Sequence, residues 1–526
     1  MKHASRIALA SLLTIACSTE VLVVDENGNA VPGGGNGVAV GPAAPAPKTP
    51  SAKVTLDQVA VYQGVKIPVV AEGFRVEERN APIVAGRAGL VRVFITPAAD
   101  FVPGKIAGVL TIKDAEGNAT TFKDSRAINR VSSDASAPST LNFELPDTAF
   151  TVGASFSVSL TDDLGEGAGS PNQTPVRYPA GDAFDALDVK ATGVLKVVIV
   201  PVRYDADPSQ RLPDTSPKQV DIYKKTLMGL YPASEVVVTV REPYAWTTPI
   251  TSNGSGFDGV LNAMVQLRRR DRVEADVYYY GIFAPQPSFE TFCRRGCVTG
   301  LSGLVENAKD TFLRASVGLG FPGEDSAGTM AHEIGHAHGR AHAPCGGPAG
   351  PDRKFPYKGG TIGTWGYNIV TKRYISPAIG TDMMGYCDDA WVSDYTFSAL
   401  FDRLTAVSGG ERPAQGAAAA SGASGASGAS GASGGAPFRL VSFNGDGVAT
   451  STSALTLDEA PGGSESDVEY LGDSGSVVAR AKAHVYKYDH LPGGMVVMPE
   501  LASTSYAQLR VGQMAHTLNV KALLAR

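Results

Sequence analysis

The sequence predicts a multidomain protein in which an α/β domain lies between an N-terminal β-sandwich and a small C-terminal β domain. Three features predict it. At 526 residues the chain is too long for one ordinary domain, and length alone suggests about three. Apolar residues recur with strand periodicity towards both ends, whereas strand-like and helix-like stretches alternate through the middle. Tracts at 18–52 and 409–436, dominated by Gly, Ala, Pro and Ser, read as flexible linkers. Composition agrees, because charged residues make up only 19% beside 60 Gly and 34 Pro, which favours short strands and turns over long charged helices. A net charge of −6 offers no basic patch, so nucleic acid is excluded from the expected partners.

In chain order, residues 1–17 come first. Lys2 and Arg6 precede an apolar run, 7–16, too short to span a bilayer, which reads as a secretory signal. It ends at Cys17 and resembles the bacterial lipobox, in which that cysteine is acylated; Thr14 stands where leucine is usual. The resemblance implies a lipoprotein of the bacterial outer membrane or cell surface, anchored through Cys17. With an ordinary signal peptide and an incidental cysteine the protein is secreted instead.

Over 53–193 the segments 54–56, 90–95, 107–112 and 156–160 read as strands, the last alternating apolar and polar at every step. The turn signal Glu116-Gly117-Asn118 falls between two of them, and the whole reads as an Ig-like β-sandwich. Over 194–408 the rhythm changes. Strands at 195–202, 235–240 and 276–282 alternate with helices at 217–230, opened by Ser216 and Pro217, and at 257–270. That order implies a mainly parallel sheet with right-handed crossovers. A third helix is expected at 326–339. The C-terminal segment 437–526 offers short strands at 485–488, 495–498 and 507–511.

The third helix carries the chemistry, in the run His332-Glu333-Ile334-Gly335-His336-Ala337-His338-Gly339-Arg340-Ala341-His342. Residues four apart share one helix face, so His332 and His336 present both imidazoles to one point. Glu333 can then reach a water on the same metal. Gly339 can adopt the left-handed backbone that ends a helix, which lets His342 swing round as third ligand. Three neutral imidazoles with one open position describe a catalytic site for a single Zn2+ ion.

The pattern H-E-x-x-H-x-x-G-x-x-H resembles the metzincin clan of zinc endopeptidases. The resemblance implies a metzincin-like protease over 194–408, with a downstream turn whose methionine lies beneath the metal. Asp382-Met383-Met384-Gly385-Tyr386-Cys387 fits that turn, with Met384 as the methionine, Met383 as the plain alternative, and Tyr386 as a donor to the oxyanion. Glu333 is the implied catalytic base. The chain is also loosely similar to bacterial metzincins that cleave mucins, which implies a protein or glycoprotein substrate; membrane contact runs through the lipid anchor alone, and a monomer is expected.

Export makes disulfides the default for Cys293, Cys297, Cys345 and Cys387. The segments of Cys345 and Cys387 both flank the implied metal, so a bond between them is expected, leaving Cys293 to pair with Cys297; Cys345 as a fourth metal ligand is the competing reading. On the same resemblance, an edge strand near 298–302 would hold extended substrate by backbone pairing. His338 is expected to face solvent, and His484, His490 and His516 to be surface or satisfied core residues. Trp365 and Trp391 are expected in the core or a pocket wall. Two other functions remain open at this point: a surface adhesion or glycan-binding protein with a degenerate protease domain, and a protease that processes only its own linkers.

Overall fold

The structure, a computed structural model, describes residues 53–163, 174–408, 435–501, 505–512, 514 and 516–524. The leader with Cys17, the tract 18–52 and residues 409–434 of the second tract lie outside the described residues. The protein is multidomain and mostly β, with few helices. Among the described residues no helix is long and apolar enough to cross a membrane.

Beside a two-stranded parallel sheet of Ile83–Val84 and Val189–Lys190, the N-terminal region has two main sheets. One runs in the order Gly64–Ala71, Val54–Tyr62, Gly89–Pro97, Leu141–Leu145, and the other Val176–Tyr178, Ser155–Asp162, Gly104–Lys113, Ala119–Ile128. Alternation explains their shared interior: Phe156, Val158 and Leu160 are each at most 1% exposed and point to one side of their strand. The first sheet does not stop at the sequence boundary near 193. Two strands of the central region, Gly366–Asn368 and Arg373–Ile375, extend it, with Gly366 opposite Val65 and Tyr367 opposite Gly64. They cover an edge that would otherwise present unpaired backbone.

Arg87 joins the same two regions. Fully buried, it donates to the carbonyls of Met228 at 2.6 Å, Ala233 at 3.1 Å and Gly229 at 3.3 Å. Those carbonyls lie at and just beyond the C-terminus of the helix Pro217–Leu230, where a cation is favoured. Burial pushes the guanidinium down to about 9.

The central sheet has the order Val236–Val240, Leu195–Tyr204, Val277–Phe283, Ala315–Leu319, Gly300–Ser302. The first four strands are parallel and Gly300–Ser302 is an antiparallel edge strand. The helices Pro217–Leu230 and Phe257–Arg270 fall between its strands in sequence, and Glu324–Ala337 follows the fourth. The C-terminal region is one antiparallel sheet of seven strands, from Ala436–Asn444 to Leu518–Asn519. It is not a separate bead: Leu440, Tyr486, Tyr488 and Val497 share a core with Phe257, Leu261, Leu301 and Val305 of the central region.

Candidate metal centre

The helix Glu324–Ala337 ends in hydrogen bonds that turn the chain back on itself. Gly339 donates to the His336 carbonyl at 2.8 Å and Arg340 to that of Gly335 at 3.0 Å, with Gly339 at φ +82°. This is a Schellman closure, which needs a residue tolerant of left-handed backbone. A side chain at Gly339 would also meet Arg403 Nη2 at 2.4 Å. Beyond the turn the chain brings His342 back to the helix.

The three imidazoles are held by the same device. His332 Nδ1 lies 2.7 Å from the Met383 carbonyl, His336 Nδ1 2.6 Å from that of Arg340, and His342 Nδ1 3.0 Å from that of Ala349. Each Nδ1–H is thereby committed to backbone, so that the lone pair of each ring sits on Nε2, the arrangement that orients metal-bound histidines. His332 Nε2 and His336 Nε2 stand 3.0 Å apart, and one ligand atom from each of His332, His336, His342, Asp489 and His490 lies within 4.8 Å of all the others. Burial lowers all three imidazoles, His332 well below the usual range and His336 down to about 3, so they are neutral donors.

Glu333 follows His332 and is fully buried; its Oε1 lies 2.9 Å from His490 Nε2, while its Oε2 has no hydrogen-bond partner. Burial first, and then the charge of Asp489, raise this carboxyl well above the usual range, with His490 opposing. Gly300 makes room for it, since a Cβ there would stand 2.4 Å from Oε1. Three neutral nitrogen donors and an orphaned carboxylate oxygen in one buried spot are compatible with a metal site.

The segment Asp382–Cys387 packs beneath the helix. Met384 is fully buried, and a side chain on Gly335 would meet its Sδ at 2.5 Å. Met383 supplies instead the carbonyl that holds His332. Asp382 fixes the bend by accepting from the Met384 amide at 2.9 Å and the Ser393 amide at 3.0 Å. Cys345 is bonded to Cys387 and Cys293 to Cys297, so Cys345 is not a metal ligand. Tyr386, 41% exposed, places its hydroxyl 2.9 Å from His342 Nε2 and against His490 Nδ1. Burial, then Asp489 and Glu333, raise that phenol.

Two histidines are not where their sequence context suggested. His338 does not face solvent: it is 2% exposed, stacked 4.3 Å from Tyr278, with Nδ1 2.8 Å from the Ile334 carbonyl. Two residues on from His336, it points away from the cluster, between helix and sheet. His490 is neither plain surface nor plain core, for it belongs to the cluster together with Asp489, a residue that sequence reading missed. Asp489 Oδ2 lies 3.3 Å from His336 Nε2 and 3.0 Å from His490 Nε2. Burial opposes the charge on His490, but Glu333 and Asp489 outweigh it and lift the imidazole to about 11. His484 and His516 stay apart, His484 against the Gly463 carbonyl and His516 exposed.

A cleft of about 1330 Å3 opens onto this cluster. His332, Glu333, Tyr386 and His490 line it, and so do Trp365 and Trp391.

One comparison with known proteins falls on this site. Residues 309–396 match the family model described as Peptidase M66. The match supports a metalloprotease family, and it spans the motif helix, His342, both cysteines of the longer disulfide and Tyr386. It ends before Asp489 and His490. No curated protein matches the chain. Among solved structures, a β-glucuronidase of Parabacteroides merdae is similar at 8% identity and a TM-score of 0.15, over 44% of this chain. The matched part spans 28% of the glucuronidase, and a likeness that faint carries no argument about fold or function.

Proposed function

We propose that this protein is an exported zinc-dependent endopeptidase with a metzincin-type centre, acting on extracellular proteins, glycoproteins among them. One observation carries the reading: three buried imidazoles, each with Nδ1 on a backbone carbonyl, turn their Nε2 atoms towards one point beside the orphaned oxygen of Glu333. His332, His336 and His342 would hold the metal. When bound, zinc supplies a Lewis acid and lowers the pKa of a coordinated water to about 7.

The chain's own residues supply the rest. Glu333 takes the proton of the attacking water on its carboxylate and returns it to the leaving amine. Tyr386, which lines the cleft, would donate its hydroxyl to the developing oxyanion. The edge strand Gly300–Ser302 pairs with Ala315–Leu319 on one side and is met by Asp489 at its Ser302 end on the other, while Val298 and Thr299 at its near end line the cleft, where extended substrate would align by its backbone. The glycoprotein part of the proposal rests on the resemblance to mucin-cleaving enzymes, and export through Cys17 on the leader sequence.

The test is hydrolysis of casein and of a mucin by the purified chain, with and without a zinc chelator, beside metal analysis. About one zinc per chain and chelator-sensitive cleavage are expected, with mucin cut in preference to casein. A chain that bound no zinc, or that cut equally well after chelation, would refute the reading.

A further inference from the structure

The hairpin between strands Val477–Lys487 and Gly493–Pro499 belongs to the C-terminal sheet, yet its tip lies in the metal cluster. It arrives along the edge of the central sheet. Leu304 donates its amide to the Lys487 carbonyl at 3.1 Å, and Asp489 to that of Ser302 at 3.2 Å. The Ser302 amide in turn donates to Asp489 Oδ1 at 2.8 Å. An apolar core welds the approach, with Tyr486, Tyr488 and Met495 packed among Leu261, Leu301 and Val305. An interface of that kind is a fixed one rather than a hinge.

Asp489 and His490 occupy different places at the tip. The Asp489 side chain is fully buried, one oxygen on the Ser302 amide and the other facing His490 and His336. His490 lines the cleft. Its ring stacks on Tyr386 at 5.1 Å and on His332 at 5.2 Å, and its Nε2 lies 2.9 Å from Glu333 Oε1. A water whose proton passes to Glu333 must lie within about one hydrogen-bond length of that carboxylate, with the carbonyl that it attacks next to it. A donor standing 2.9 Å from the same oxygen, on the cleft wall, reaches the same centre.

Resting on the peptidase reading above, we propose that His490 is a further catalytic residue, a hydrogen-bond donor supplied by the C-terminal region to the carbonyl oxygen that becomes negative under attack, and that Asp489 is its positioning residue. The C-terminal sheet is then a working part of the active site, although it lies outside the residues that match a peptidase family. Tyr386 and His490, stacked and hydrogen-bonded, form one donor wall facing the scissile bond.

The test uses the full chain and the variants His490→Ala, His490→Gln and Asp489→Asn. Zinc content and Tm are measured first, then kcat and KM on a peptide. Affinity is measured for a phosphinic peptide, whose tetrahedral anion mimics the attacked carbonyl, and for a cleaved product peptide. Each variant is expected to keep one zinc and a KM within about twofold of wild type. For His490→Ala, kcat should fall about 10²–10³-fold, the usual cost of losing one oxyanion donor. Glutamine, which keeps an N–H donor, should recover part of that loss. Asp489→Asn should lower kcat about 10–100-fold with KM unchanged. Phosphinic affinity should fall in step with kcat while product affinity holds. Wild-type kcat in His490→Ala would overturn the proposal. So would loss of zinc from it, which would make His490 a ligand instead. Asp489→Asn is isosteric, so its kcat decides the matter if His490→Ala fails to fold. A wild-type chain that binds no zinc or cuts no peptide would instead overturn the peptidase reading, and this proposal with it.

Discussion

Replacing Gly300 by alanine adds one methyl group against the carboxylate of Glu333. The new Cβ would stand 2.4 Å from Oε1, 2.6 Å from Cγ and 2.7 Å from Cδ, whereas ordinary contact begins at 3.4 Å. Gly300 is an extended strand residue paired to Gly318, so alanine meets no backbone strain and the whole effect falls on Glu333. The carboxylate therefore has to give way by about 1 Å, and a misplacement of that size at a reacting group costs on the order of 100-fold in rate. The metal should stay, because the imidazoles are anchored on the carbonyls of Met383, Arg340 and Ala349, whereas the atoms nearest the added Cβ are all on Glu333. The assay is kcat/KM on a fluorogenic peptide alongside zinc content and Tm. A fall of roughly two orders of magnitude with zinc retained is expected. Wild-type turnover, with folding and zinc intact, would refute the idea that Glu333 works from the position held open by Gly300.

Two further outcomes follow from the same packing. The Cys345–Cys387 bond spans 42 residues and ties the exit of the motif to the segment carrying Tyr386, whose amide donates to the Cys345 carbonyl at 2.9 Å. Closing a loop of that length is worth about 4 kcal/mol in the chain-entropy model, so Cys345→Ser with Cys387→Ser should lower Tm by several degrees, and an unchanged Tm would contradict it. His338, held down to about 3 by burial, is neutral when folded and takes its proton only on unfolding. Its contribution to stability is therefore present above the unfolded pKa near 6.5 and is lost as pH falls towards 3, by about 1.4 kcal/mol per unit. Denaturant midpoints at pH 7.5 and pH 5 should differ accordingly, and His338→Gln should flatten the slope; an unaltered slope would rule His338 out as its source.

How much of this was legible in the sequence depended on how local each signal was. His332 and His336 share a helix face through i,i+4 spacing alone, and Gly339 marks the turn that returns His342. The strands and helices of 194–283 followed from long, strongly patterned runs. The strand Ala315–Leu319 was missed because Ala, Ser and Gly dilute its apolar pattern, even though Gly318 is what lets Tyr280 pass, its hydroxyl 2.1 Å from where a Cβ would be. The strands Gly366–Asn368 and Arg373–Ile375 were hidden because three-residue strands carry no period, and only tertiary pairing reveals their sheet. His338 looked exposed because polar residues usually are, and the aromatic neighbours Tyr278 and Tyr231 that enclose it lie far off in sequence. Asp489 and His490 were the costliest miss. They sit beyond a low-complexity tract, and the one sequence trace of them is the turn signal Leu491-Pro492-Gly493-Gly494, which marks a hairpin tip but not the surface that it meets.

The most direct measurement is zinc content and peptide hydrolysis of wild type beside Glu333→Gln. One zinc in both proteins, with turnover reduced by at least about 10³-fold in the variant, is the expected result for a buried carboxylate that carries the proton without holding the metal. Hydrolysis at the wild-type rate by Glu333→Gln, or zinc in neither protein, would contradict it.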